Sequence, residues 1–183
     1  MPKKGFFAIL FLLICAFSFA QGLPKKTLVA ADIDTFLGNY AGIQTALGGL
    51  GNKYDSFFDP DGSSADQAKA DPSAAFTRLR DATAPDEVQA IFRNHGLGDN
   101  GFAKYLVISF GVSVLYMEKM LAMPDPAYTA SPEAKAYYDQ VTVLVKNMRS
   151  AVNADDISLL ATRQDELINL YSAGDKAENQ PAE

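Results

Sequence analysis

Hydrophobic residues recur every three or four positions along most of this chain, which is the spacing of α-helices that pack one side against a core. Beyond residue 20, no stretch shows the alternation of apolar and polar residues that is typical of a β-strand. Capping and turn residues divide the pattern into six predicted helices, at residues 30–51, 72–82, 85–95, 100–122, 132–152 and 154–173. The sequence therefore predicts an all-α protein, an irregular helical bundle.

Residues with strong capping preferences stand where several of these helices begin. Asp32 is the expected N-cap of the first helix and Asp71 that of the second. Ser131 and Asn153 are expected to cap the fifth and the last helix in the same way. Gly174 is expected to end the last helix, because glycine favours the residue after a helix C-terminus.

The predicted helix at 100–122 is apolar on nearly every side. Between Lys104 and Glu118 it has only thirteen uncharged residues, whereas a membrane-spanning helix needs about 20. Such a helix in a soluble protein is normally the central one, so the other helices are expected to surround it. Gly111 in its middle would let a neighbouring helix approach closely.

Residues 53–71 interrupt the helical pattern with a stretch rich in Asp, Ser, Gly and Ala, which predicts a long surface connection. The part from Asp59 to Asp66 is superficially similar to a calcium-binding loop. An EF-hand requires glycine at the sixth position and glutamate at the twelfth, whereas Gly62 is fourth and Ala70 twelfth when counted from Asp59. A solvated loop is the prediction, and a weak irregular cation site is the alternative.

The N-terminus has the three parts of a secretory signal peptide. Lys3 and Lys4 precede an uncharged stretch at 5–20, which ends with the small residues Ser18 and Ala20 of a cleavage site. Residues 1–20 are thus predicted to be removed, which leaves a single helical domain at 21–174 and a flexible acidic tail at 175–183. The protein is expected in the periplasm or outside the cell.

Two alternatives to simple cleavage follow from neighbouring residues. Lys25 and Lys26 could flank an uncleaved N-terminal anchor. Cys15 could be a lipid attachment site, although Ile14 before it is larger than the residue such a site normally has. Cys15 is the only cysteine, so the cleaved chain has no disulfide and no thiolate.

The charge balance disfavours nucleic acid as a partner. The chain has 16 basic and 22 acidic residues, a net charge of −6. Removal of 1–20 takes away Lys3 and Lys4 and no acid, so the cleaved chain has 14 against 22 and a net charge of −8. An acidic surface without a basic stripe repels DNA and anionic lipid and favours a basic protein or peptide.

Candidate chemistry is sparse. His95 is the only histidine, and its place one residue before Gly96 predicts a helix cap rather than a base or metal ligand. The acidic pairs Asp155-Asp156 and Asp165-Glu166 are adjacent in sequence, so their side chains diverge by about 100° on a helix and cannot act together. No metal-binding, phosphate-binding or nucleophile motif is present. The sequence therefore predicts no catalytic residue, no metal and no cofactor.

A strip of small residues along the first helix, followed by two phenylalanines, is the candidate partner face: Gly38, Gly42, Thr45, Gly49, Phe57 and Phe58. Small residues permit close approach, either by another helix of the same chain or by a partner in a shallow groove. The predicted function is an exported, non-enzymatic interaction or chaperone-like module. A carrier of a small apolar ligand among Phe and Tyr side chains is the first alternative, and a hydrolytic enzyme is the second.

We expect the mature protein to begin at Gln21, because cleavage after Ala20 satisfies the small-residue requirement of signal peptidase. Intact-mass measurement of protein recovered from the extracytoplasmic fraction tests this. A retained Met1 or an acylated Cys15 would contradict it.

Overall fold

The computed structural model of the chain describes residues 24–58, 71–123 and 131–178, and it describes side chains as far as Tyr171. All regular secondary structure in these ranges is helical. In chain order they are α1 (Ala30–Gly48), α2 (Asp55–Phe58), α3 (Pro72–Asp81), α4 (Asp86–Asn94), α5 (Gly101–Leu121), α6 (Pro132–Ser150), α7 (Ala154–Ala161) and α8 (Gln164–Glu178). The prediction of an all-α protein is confirmed.

Some predicted features fall outside the described residues. These are the signal peptide with Cys15, the acidic loop at 59–66 and the end of the tail at 179–183.

The described ranges contain eight helices rather than six. The short helix α2 forms within the stretch predicted as a surface connection, where Phe57 and Phe58 pack on the core. The helix predicted at 154–173 is divided at Thr162 and Arg163, whose backbone N–H groups bond to the carbonyl groups three residues back. The Thr162 hydroxyl also donates to the Leu159 carbonyl, which competes with the helical hydrogen-bond ladder.

The last helix also runs past Gly174 to Glu178, although glycine was expected to end it. An interior glycine costs a helix about 1 kcal/mol but does not forbid it.

Three of the four predicted caps are confirmed. The Asp71 carboxylate accepts from the Ala74 N–H at 3.0 Å, and the Ser131 hydroxyl accepts from the Ala134 N–H at 3.1 Å. The Asn153 side chain accepts from the Asp155 N–H at 2.9 Å. In each case the cap satisfies a backbone donor that has no partner within its own helix.

Asp32 is not the N-cap of α1, because the helix begins earlier and Val29 holds that position. The Asp32 side chain instead accepts the Val29 N–H at 2.9 Å and the Lys104 ammonium at 2.8 Å. Lys104 also donates to the Leu97 carbonyl at 3.0 Å. This largely buried ion pair connects α1 to the first turn of α5 and to the loop before it.

A buried aspartate holds the extended segment that leads into α1. The Asp156 carboxylate is 1% exposed and accepts the backbone N–H groups of Thr27 and Leu28, both at 2.9 Å. The Asn153 amide donates to the Pro24 carbonyl at 2.7 Å. The Leu28 side chain is thereby fixed in the core, where it is fully buried.

Helix α5 packs against α1, α3, α4, α6, α7 and α8, and the rings of α2 contact its Phe102. At Gly111 the fit is very close, since a β-carbon there would lie 2.4 Å from a methyl group of Leu160 in α7. The expected role of this glycine in helix approach is confirmed. On the α3 side, the Phe110 ring stacks on Phe76 with centroids 4.2 Å apart.

By length and composition alone, α5 is long and apolar enough to cross a membrane. Its most apolar 18-residue window has a mean hydropathy of 1.2, and 44% of that window is buried inside the fold. The core helix of a soluble protein can have the same length and the same apolar composition. Burial is incomplete because Tyr116 and Met120, near the C-terminal end of α5, are exposed.

Replacing Gly111 by alanine should lower the free energy of unfolding by about 1–3 kcal/mol, because the added methyl group collides with Leu160. Gly38 is the matched control, since it also lies within a helix and nothing stands within 4 Å of its β-carbon position. Gly38→Ala should leave stability unchanged or raise it by up to about 1 kcal/mol. Urea unfolding compares the two, and an equal effect at both positions would contradict the close contact.

Asp156→Asn should lower the free energy of unfolding by about 1–3 kcal/mol, because an amide cannot accept both backbone N–H groups of the segment before α1. The neighbouring Asp155, which is exposed, provides the control substitution Asp155→Asn. Hydrogen exchange at the amides of Thr27 and Leu28 should accelerate only in Asp156→Asn. Unchanged protection of these two amides would show that Asp156 does not hold the segment.

Candidate functional site

The predicted partner face is split between two environments. The four small residues are all exposed, three of them on α1 and the last at its C-cap: Gly38, Gly42, Thr45 and Gly49. The phenylalanines are instead half-buried against Phe102 of α5, with ring centroids 5.8 Å away for Phe57 and 6.2 Å for Phe58. The glycine strip therefore lies on the surface, whereas the two rings contribute to the core.

Within the strip, Gly42 accommodates His95. A β-carbon at Gly42 would lie 2.7 Å from Nε2 of the imidazole. Nδ1 of the same ring donates to the Ile91 carbonyl at 2.8 Å, at the C-terminal end of α4. The prediction that His95 caps its helix is confirmed. Gly42 thus serves the packing of α4 on α1, whereas nothing lies within 4 Å of the β-carbon position of Gly38.

The acidic pairs have separate partners. Asp156 is buried on backbone N–H groups, while Asp155 is exposed. Asp165 accepts from Lys119 at 2.9 Å, and Glu166 pairs with Arg163. Among the described residues, no group of three or more His, Cys, Asp or Glu side chains could hold a metal ion.

An aromatic cluster fills the space between α1, α5 and α8. Tyr171 lies 5.3 Å from Tyr40 and 6.3 Å from Phe36, measured between ring centroids. Its hydroxyl is 2.7 Å from that of Ser109, and burial raises the pKa of Tyr171 well above its ordinary value. The Tyr171 ring packs against the core, and its raised pKa means that the hydroxyl stays protonated at physiological pH.

An apolar groove of about 180 Å³ lies between the C-terminal end of α5 and the first half of α6. We call it the Met/Tyr groove. It is lined by Met117, Met120, Leu121, Tyr137, Tyr138 and Val141. The Tyr138 hydroxyl donates to the Leu121 carbonyl at 2.8 Å, which ties the two helices together at the base of the groove.

The groove is open, and none of the described residues in its lining is charged. Tyr137 is 65% exposed and Met120 is 41% exposed, so large apolar side chains remain in contact with water. Glu118 and Lys119 are directed elsewhere, to Arg149 and Asp165 respectively. Methionine side chains are flexible and polarisable, and surfaces rich in them adapt to varied apolar partners.

Sequence reasoning missed this groove because it took the apolar helix as buried throughout. A signal was present, since Met117 is followed at helical spacing by Met120 and Leu121, and Tyr137 is followed in the same way by Val141. The same spacing occurs in residues that face the core. Whether such residues are buried or exposed depends on where the neighbouring helices that cover α5 end.

The chain matches no protein-family model, no curated protein and no solved structure.

Proposed function

We propose that this protein is an exported, non-enzymatic helical module that binds other proteins, in the manner of a chaperone, through the Met/Tyr groove. The observation that carries the proposal is the exposure of uncharged Met and Tyr side chains in one depression. Large apolar side chains grouped on a surface are typical of interaction sites. Export is supported by the signal-like segment at 1–20.

The size of the groove favours a protein partner over a carried small molecule. Pockets that enclose a ligand have volumes of about 300–1,000 Å³ and bury most of its surface. The Met/Tyr groove holds about 180 Å³ and leaves Tyr137 mostly exposed. It can receive one or two apolar side chains of a larger partner, which is how a helix docks in a hydrophobic groove.

The occupant that we propose is an amphipathic helix with a basic polar face. Its apolar side would enter the groove, whose described lining residues are uncharged. Its basic residues would be attracted to this chain, which has 22 acidic and 16 basic residues. Charge complementarity of this kind accelerates association and becomes weaker as salt is added.

A synthetic amphipathic helix with a leucine face and a lysine face should bind and shift the methyl NMR signals of Met117 and Met120. Met120→Lys should weaken binding at least about tenfold, because a charge would then stand in the apolar groove. Val143→Lys is the matched control, since Val143 is exposed on α6 but outside the groove lining. A peptide with the same leucine face and a glutamate face should bind more weakly.

Shifts confined to α1 around Gly38 and Gly42 would contradict the groove and favour the surface predicted from sequence. Equal losses in Met120→Lys and Val143→Lys would also contradict it, because the effect would then reflect overall charge. A small apolar molecule retained in native mass spectrometry of protein from its own source would favour the carrier.

A further inference from the structure

A second, more polar cavity of about 870 Å³ lies between α3 and the C-terminal end of α6, and it is open to solvent like the Met/Tyr groove. Its volume falls within the range of about 300–1,000 Å³ that is typical of small-molecule sites. Its wall includes Thr77, Arg78 and Arg80 of α3, together with Asn147 and Ser150 of α6. It is separate from the Met/Tyr groove, with which it shares none of the lining residues that the structure describes.

Arg80 is held in a fixed position in this wall. Its guanidinium donates to both carboxylate oxygens of Asp81, at 2.8 and 3.1 Å, and to the Ala151 carbonyl at 3.1 Å. Its side chain is only 17% exposed, and the guanidinium lies 5.4 Å from the centroid of the Phe76 ring. A guanidinium has five N–H donors, so this one is preorganised and still has donors to offer.

The remaining groups of the wall supply further hydrogen-bond donors. Arg78 uses one N–H group on the Phe58 carbonyl at 3.0 Å, which leaves most of its guanidinium available. The Thr77 hydroxyl and the Asn147 amide line the same cavity. The free donors therefore come from both α3 and α6.

The two carboxylates of the wall are already engaged by their own helix. One oxygen of Asp71 caps the Ala74 N–H, and both oxygens of Asp81 accept from Arg80. The hydrogen bonds from Arg80 hold the pKa of Asp81 below its ordinary value, and the charge of nearby Lys25 acts in the same direction. Among the described residues, the wall therefore has the cations Arg78 and Arg80 beside the acids Asp71 and Asp81, and Lys25 adds a positive charge near Asp81.

We propose that this cavity binds a small molecule through an oxyanion, a carboxylate or a phosphate group, held by Arg78 and Arg80. The geometry favours such a ligand because the wall offers unused guanidinium donors, whereas the carboxylates of Asp71 and Asp81 already accept hydrogen bonds from their own helix. The inference stands independently of the Met/Tyr groove.

Isothermal titration calorimetry of the full mature chain at low ionic strength, with inorganic phosphate and separately with succinate, tests this proposal. We expect saturable binding at one site for at least one of the two anions, which becomes weaker as sodium chloride is added. Binding of phosphate alone, or of succinate alone, identifies the group that the cavity prefers.

Arg78→Gln should weaken this binding about tenfold, because it removes a charge-assisted hydrogen bond. Arg78 is chosen because it is exposed, whereas Arg80 also holds the Ala151 carbonyl and its loss could disturb folding. Arg93→Gln is the matched control, since Arg93 is an exposed arginine of α4 that pairs with Asp99 outside the cavity. Absence of saturable binding by both anions at about 1 mM, or equal binding by wild type and Arg78→Gln, would overturn the proposal.

Discussion

Burial of helix α5 is the constraint on which the arrangement of the other helices depends. Most of its side chains are apolar, so water is excluded only if several neighbours cover it at once. Helices α1, α3, α4, α6, α7 and α8 each contribute part of that cover. The packing is closest at Gly111, because glycine has no side chain and a methyl group of Leu160 occupies the space beside its backbone.

Two buried aspartates fix how the chain enters this arrangement. Asp32 and Asp156 each lie in the first turn of a helix and accept backbone N–H groups of the extended segment before α1. A buried carboxylate is costly unless it is paired or hydrogen-bonded, and both are. Asp32 obtains its counter-ion from Lys104 of α5, so the same helix that dominates the core also neutralises the buried charge beside it.

Helix α6 carries parts of both proposed sites. Tyr137, Tyr138 and Val141 in its first half line the Met/Tyr groove, and Asn147 and Ser150 near its end line the polar cavity. The distance along the helix from Tyr138 to Asn147 is about 14 Å, given a rise of about 1.5 Å per residue. One helix therefore contributes apolar side chains to the Met/Tyr groove and uncharged polar side chains to the cavity, so the two proposed ligand classes do not compete for the same residues.

The sequence by itself determined that the chain is helical, where most of its helices begin, and that His95 caps one of them. These features depend on the spacing of apolar residues and on hydrogen bonds between residues close in the chain. Such local features can be predicted from the sequence. Local signals failed at Thr162, where no glycine or proline marks the break between α7 and α8.

Only the tertiary structure decided which apolar residues stay exposed and which polar ones lie together. Met120 and Val112 belong to the same apolar helix, yet one is exposed and the other buried, because the cover provided by neighbouring helices stops short of the C-terminal end of α5. Arg80 and Asn147 are distant in sequence and line one cavity because α3 and α6 pack against each other. Such neighbours are set by contacts between distant segments, which no local pattern of residues encodes.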